Sequence, residues 1–324
     1  MVIAEVLLPK VLLIGSGQLG SRYLQGLSGI ERQLNITVVD PSSAALDVAK
    51  QRLADVSPST THELHFTTSL DEVPKELDLA LVVTPAHSRP DVVSAISSRH
   101  QVKAWILEKL LAQSSQDVSH IEKFLGGQSH VWVNTPRRLM HWHQAIKQRL
   151  LARRPAAFRA RVSGGNWGLA CNSIHFIDLV SWWAGSSVDI VDDGGLKDWQ
   201  PSRRAGFQEV FGSLVVFFGD GSSLELCCNH SNDQLLIEIE TPEGIWWIEE
   251  AHGIAVGPYG QEISGQLSLQ SALTTSLVER ILTAGCCELP SLTESAAQHR
   301  PLLDVLLKHW NFSQSRHDQV VPIT

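Results

Sequence analysis

Long apolar runs are missing from this 324-residue sequence: nothing approaches the roughly eighteen consecutive apolar residues that a membrane-crossing helix needs. Basic runs are missing too. The formal net charge of −8 is spread without long blocks of one sign, which argues against a nucleic acid or an anionic membrane as partner. Cysteine is scarce: the five residues, at 171, 227, 228, 286 and 287, include two adjacent pairs but no C-x-x-C, and neither the odd count nor the spacing describes a disulfide framework. The opening MVIAEVLLPK has an acidic residue inside a short apolar patch and no basic leader or small-residue cleavage site, so it is not read as a signal peptide. A reducing, cytoplasmic setting is the expectation. What remains is ordinary globular composition in a chain longer than one hydrophobic core usually serves, and two domains are expected.

The most informative stretch is Lys10 to Asp40, KVLLIGSGQLGSRYLQGLSGIERQLNITVVD. Val11 to Ile14 is a short apolar run of the kind a buried strand makes, and Gly15, Gly17 and Gly20 follow at G-x-G-x-x-G spacing. Leu19, Tyr23, Leu24 and Leu27 then recur close to a helical period. The first glycine of such a turn lets the chain bend, the second lets backbone approach a pyrophosphate, and the third lets helix pack close to strand. Free amides and the positive end of the helix dipole favour a phosphate there. A second apolar run, Ile36 to Val39, ends at Asp40, where a carboxylate can accept hydrogen bonds from an adenosine ribose. It would also repel a 2′-phosphate, and Pro41-Ser42-Ser43 offers no arginine to receive one, so NAD is expected over NADP.

Downstream, helices are expected over 44–53, 70–77, 90–98 and 139–151, alternating with strands over 64–68, 79–83, 104–107 and 130–134. This alternation predicts a doubly wound parallel sheet, in which ligands bind beyond the carboxyl ends of the strands. Those ends carry Asp40, Thr84-Pro85-Ala86-His87 and Glu108-Lys109. The remainder reads as a strand over 157–162, a helix over 172–183 and two hairpins, with strands 214–218 and 223–227, then 235–239 and 245–249. Helices are expected over 270–282 and 294–309, the last kinked or broken near Pro301. The fold class is therefore α/β: an N-terminal Rossmann-type domain over 1–135, then an α+β domain over 136–324 with an open, mainly antiparallel sheet.

Taken in order, the glycine fingerprint, TPAH, EKLLA, NTPRR, CNSIHFIDLVSWWAG and ELPSLTESAAQHRPLLDVL resemble the Gfo/Idh/MocA family, named for glucose–fructose oxidoreductase, inositol dehydrogenase and a rhizopine-catabolism protein. The resemblance covers almost the whole chain. It implies a nicotinamide-dependent oxidoreductase acting on a sugar, cyclitol or related polyol, with the open antiparallel sheet forming the substrate-binding domain; a sugar acid or nucleotide sugar is the further expectation that Arg203 and Arg204 raise. By the same resemblance Lys109 lies near the nicotinamide and the substrate hydroxyl, and His175 assists proton transfer. Two departures stand out: Cys171 occupies the position where an aspartate is common, and Ala86 that of an asparagine.

The residues agree with this chemistry. Moving a hydride between an alcohol carbon and nicotinamide requires a group to take or give the hydroxyl proton, and His175 or Lys109 can serve. The first assignment is His175 as acid/base, expected to titrate near neutrality, with Lys109 orienting the hydroxyl and stabilising alkoxide; the roles can be exchanged. At helical spacing Cys171, His175 and Asp178 share a face if the helix includes Cys171. A thiol is a poor substitute for a carboxylate, so His175 is expected to be less basic than it would be beside aspartate. Gly15, Gly17, Gln18, Leu19, Gly20, Asp40, Thr84, Pro85, His87 and Glu108 are expected at the cofactor. Trp167, Cys171 and Asn172 join Lys109 and His175 at the substrate; Trp167 suits stacking on a sugar or core packing equally. Arg203 and Arg204 suit an acidic substrate or a plain surface. His141 and His143 face different sides of a helix, and no metal is expected. A homo-oligomer is expected because a one-sided sheet leaves a face to cover. Two other readings are a non-catalytic dinucleotide- and sugar-binding sensor of the same fold, motivated by Cys171, and a methyltransferase, which the G-x-G-x-x-G spacing disfavours.

Overall fold

The computed structural model describes residues 7–57, 59–151 and 157–324. Residues 1–6, most of the segment weighed as a leader, lie outside the described residues. The chain opens with β1 (Lys10–Ile14), α1 (Gln18–Leu27), β2 (Asn35–Val39), α2 (Ser43–Val56) and β3 (Glu63–Thr67). It continues through β4 (Glu76–Leu77), β5 (Leu79–Val82), α3 (Arg89–Ser97), β6 (Gln101–Val102), β7 (Trp105–Glu108), α4 (Ser115–Leu125), β8 (Val131–Asn134) and α5 (His141–Leu151). Next come β9 (Arg159–Gly165), α6 (Leu169–Ala184), β10 (Val188–Pro201), β11 (Gln208–Phe218), β12 (Ser223–Asn229) and β13 (Leu236–Thr241). The last elements are β14 (Gly244–Glu249), β15 (Ile254–Gly257), β16 (Gln261–Ser264), α7 (Gln270–Ala284) and α8 (Leu292–Gln314).

Two compact units result. The first takes in the chain up to Glu108, Lys123–Asn134 and Ser268–Glu288; the second takes in Lys109–Glu122, Thr135–Leu267 and Leu289–Thr324. The sequence suggests a single cut between 135 and 136, whereas the units interleave. α7 belongs to the first because it packs on α1, where a Cβ on Gly26 would stand 2.4 Å from Ser271 O. Thr275 also donates to the Gly26 carbonyl at 2.7 Å.

In the first unit six parallel strands run β3-β2-β1-β5-β7-β8. Every residue of β5, β7 and β8 is buried, as a sheet covered on both faces requires. The strand order reverses direction between β1 and β5, the switch point at which such sheets bind ligands. The helix expected over 70–77 is not there: a single 3-10 turn, Leu70–Glu72, gives way to β4. Pro74 explains this, since it disfavours helical backbone at Val73, which is extended.

In the second unit eight strands run β10-β11-β12-β9-β13-β14-β15-β16, all antiparallel pairs except β9 with β12. Alternate residues, among them Val162, Leu214, Leu226, Ile237 and Ile248, face the core, with α6 on β11 and β12 and α8 on β10. Phe217 and Trp247 are exposed. α8 runs through Pro301 as one helix, so of the expected kink or break the break does not occur. The proline costs about 3 kcal/mol in a helix interior. Burial of Leu292, Leu302, Leu303, Leu306 and Trp310 offsets it, at about 2 kcal/mol per large apolar side chain. Among the described residues no helix is long and apolar enough to cross a membrane.

Candidate active site

The glycine turn of the first unit has the geometry its spacing predicts. Gly15 adopts φ +91°, and a Cβ there would lie 2.8 Å from Val83 O. A Cβ on Gly20 would lie 1.8 Å from Gly15 O, so only glycine lets α1 sit this close to the turn. Gly17 differs: its missing Cβ would meet nothing within 4 Å, and it caps α1 with no side-chain hydrogen bond. This is an open cradle beside helix amides, and a Cβ would intrude into it. Gln18 and Leu19, in the first turn, are exposed.

Asp40 ends β2 and is locked in place, its two oxygens accepting from Ser16 N at 2.7 Å and Ser42 N at 2.9 Å. Thr84 Oγ1 and Ser16 Oγ are buried without a hydrogen-bond partner among the described residues, polar atoms that a ligand can satisfy. Pro85 and His87 are exposed on the turn before α3. Glu108 turns into a buried network: it accepts from Tyr23 OH at 2.5 Å and Asn134 Nδ2 at 2.6 Å. Burial and the Glu108 charge push the Tyr23 hydroxyl well above its ordinary value, so it donates. Burial brings Arg89 down to about 10 against the pull of Glu108 and Tyr23.

In the second unit α6 carries Cys171, Asn172 and His175, three of the residues expected at the substrate. That helix begins at Leu169, so Cys171 lies inside it with His175 and Asp178. Its cap, Gly168, is left-handed at φ +81°. Lys109 Nζ donates to Cys171 O at 3.1 Å and Asn172 Oδ1 at 3.0 Å, and Asn172 Nδ2 is anchored on Trp167 O at 2.7 Å. The Lys109–Leu110 peptide is cis. Trp167 is partly buried, donates to Cys227 O at 2.8 Å and meets Phe176 edge-on with centroids 5.4 Å apart.

His175 is partly buried, and its Nδ1 has no hydrogen-bond partner among the described residues. The expectation that it titrates near neutrality is corrected: burial first, then the Lys109, Arg137 and His299 charges, hold the ring well below its ordinary value. Desolvation is the first cause, and Cys171 is not among the groups that set the shift. Burial, reinforced by Glu209, pushes the Cys171 thiol up to about 12, so it stays neutral. Asp178 accepts from Arg138 at 2.9 and 2.5 Å and from Thr135 at 2.8 Å, a buried anchor for the segment before α5. Arg203 and Arg204 are exposed, and His143 hydrogen-bonds Glu250 at 2.9 Å.

Three residues escaped the sequence reading. Glu209, on β11, accepts from Ala170 N at 2.9 Å and Cys171 N at 3.2 Å. Arg137 lies over the Phe176 ring at 4.2 Å and pairs with Glu250 at 2.9 and 2.7 Å. His299 is fully buried and accepts from Leu111 N at 3.1 Å. Arg137 and His299 stand inside quoted family segments, which was the available signal; Glu209 had none, as an acid at the start of an apolar strand reads as surface.

A doubly wound sheet with a phosphate-type glycine turn and an acid at the second strand end, continued by a unit that assembles a lysine and a histidine, defines a dinucleotide-binding oxidoreductase. Residues 9–154 match the model of the GFO_IDH_MocA oxidoreductase family, which has an NAD-binding Rossmann fold. The sequence matches no curated protein. Similar solved structures include myo-inositol dehydrogenase from Lactobacillus casei in complex with NAD(H) and myo-inositol, at 16% identity, TM-score 0.68 and 96% of each chain. GenD2 from gentamicin A biosynthesis, in complex with NAD, is similar at 16% identity and TM-score 0.69, over 92% of this chain and 93% of that one. UDP-N-acetylglucosamine 3-dehydrogenase GnnA from Acidithiobacillus ferrooxidans gives 15% identity and TM-score 0.66, over 93% and 96%. At these identities the likeness is one of fold.

Proposed function

We propose that the protein is an NAD(H)-dependent oxidoreductase acting on a hydroxyl or keto carbon of a sugar, sugar acid, nucleotide sugar or cyclitol. The observation that carries this reading is the lysine held on the first turn of α6 beside a histidine kept neutral. Gly15, Gly17 and Gly20 would cradle the pyrophosphate, and Asp40 would hold the adenosine ribose, which favours NAD over NADP. The bound nicotinamide supplies the hydride acceptor or donor.

The direction of the His175 shift supports the exchanged assignment, with Lys109 as the proton-transfer group. A ring held neutral at pH 7 is a poor proton donor, so the ammonium of Lys109 gives the proton to a developing alkoxide in carbonyl reduction. Neutral His175 orients the hydroxyl by a hydrogen bond. In the reverse direction the neutral amine form of Lys109 takes the hydroxyl proton. The inositol and nucleotide-sugar dehydrogenases of similar fold support a polyhydroxylated substrate.

The test is spectrophotometric. Purified protein with NAD⁺ is offered myo-inositol, scyllo-inositol, UDP-N-acetylglucosamine and a panel of sugars and sugar acids. NADH formation is expected with at least one, and Lys109→Met should cut kcat by about 10²–10⁴-fold while NADH binding is retained. No turnover across the panel, together with no NADH binding, would overturn the reading.

A further inference from the structure

Glu209 has a position that no feature of its own strand explains. Gly168 caps α6 without a side chain, so the first amides of that helix need an acceptor from elsewhere. The Glu209 carboxylate reaches across from β11 and takes two of them, those of Ala170 and Cys171. The same turn supplies both acceptors described for Lys109, the carbonyl of Cys171 and the side-chain oxygen of Asn172. Space around the cap is shared closely: a Cβ on Gly168 would lie 3.0 Å from Cys171 Sγ, 3.1 Å from Asn172 Nδ2 and 3.3 Å from Glu209 Oε1.

We propose that Glu209 is a positioning residue for Lys109, fixing the α6 turn on which the ammonium rests and supplying the negative charge that keeps it protonated. This rests on the reading of Lys109 as the proton-transfer group. Both described acceptors of the ammonium are neutral, and the groups facing the cluster divide clearly. On α6 are Cys171, a neutral thiol, and His175; from the segment after β8 comes Arg137, from α8 comes His299, and from β11 comes Glu209. Burial raises the Glu209 carboxyl, while the α6 amides and the Lys109 charge favour its anionic form, so carboxylate and ammonium act on one another. The carboxylate stands next to Cys171 and so delivers to this turn the charge that the cysteine lacks, which removes the motive for a non-catalytic sensor.

The experiment titrates Lys109 itself in the full-length protein without cofactor or substrate. Acetic anhydride is added in a competitive-labelling series across pH, and acylation of the Lys109 peptide is followed by mass spectrometry. Removing the opposite charge that acts on the ammonium should lower the labelling midpoint by about one pH unit, so that Lys109 in Glu209→Gln is acylated about tenfold faster below the midpoint. Glu209→Asp should restore most of the wild-type midpoint. Glu209→Ala, which lets water reach the two amides, is the second charge-removing variant should the glutamine form not fold. An unchanged midpoint in either charge-removing variant, with thermal stability alone reduced, would make Glu209 a helix cap and overturn the proposal. The labelling needs no turnover, so it stands if every sugar fails. Conversely, an unchanged midpoint leaves the NADH and Lys109→Met experiments to decide the oxidoreductase reading.

Discussion

Replacing Asp40 by alanine tests the cofactor half of the reading most sharply. The carboxylate is already immobilised by Ser16 N at 2.7 Å and Ser42 N at 2.9 Å, so it meets a ribose without losing further side-chain freedom. Each oxygen keeps a lone pair for a hydroxyl. A hydrogen bond to a charged group is worth about 1.5–3 kcal/mol, so losing the carboxylate should weaken NADH binding by roughly 10- to 150-fold. NADPH should respond in the opposite sense, because the same charge repels its 2′-phosphate; its affinity is expected to hold or rise. The assay is a fluorescence titration of cofactor-stripped protein with each nucleotide, beside a thermal melt that detects damage from the two orphaned amides. An NADH affinity within about twofold of wild type in a variant that melts normally would refute the ribose assignment.

Gly17→Ala and Gly20→Ala should separate binding from folding. The first adds a methyl to open space and should leave the melting temperature unchanged while NADH affinity falls; the second drives a Cβ to 1.8 Å from Gly15 O and should cost about 1–3 kcal/mol of stability in a denaturant titration. Acid should destabilise the second unit through Glu250. Burial would raise that carboxyl, but Arg137 and His143 overcome it and bring it down to about 2 from an ordinary 4.5. The stabilisation is fully present above 4.5 and is lost as pH falls through about 2, on the order of 3 kcal/mol, and Glu250→Gln should flatten that part of the stability–pH curve. Alkylation by iodoacetamide at pH 8 should label the exposed Cys286 and spare Cys171, whose thiol is held near 12; mass spectrometry reads the difference.

Much of this protein was legible along the chain because the relevant physics is local. A glycine turn, the strand before it, the helix after it and the acid ending the next strand lie within about thirty residues, and each imposes its own backbone requirement. Alternating apolar runs and helical periods likewise placed the parallel sheet and both later hairpins. Lys109, Asn172 and His175 came from contiguous segments too. Other features depend on partners far apart in sequence. α7 joins the first unit because Gly26 lets it approach α1, and α8 survives Pro301 because its buried face outweighs one lost backbone bond. The histidine's neutrality arises from burial and from charges contributed at positions 109, 137 and 299. Glu209 reaches the amides of Ala170 and Cys171 across 39 and 38 residues of chain, a meeting set by how β11 packs against α6. Sequence alone thus determined the dinucleotide fold and the candidate residues; tertiary structure decided that the His175 ring is held neutral and that Glu209 meets the α6 amides, because desolvation and charge proximity exist only once distant segments are packed together.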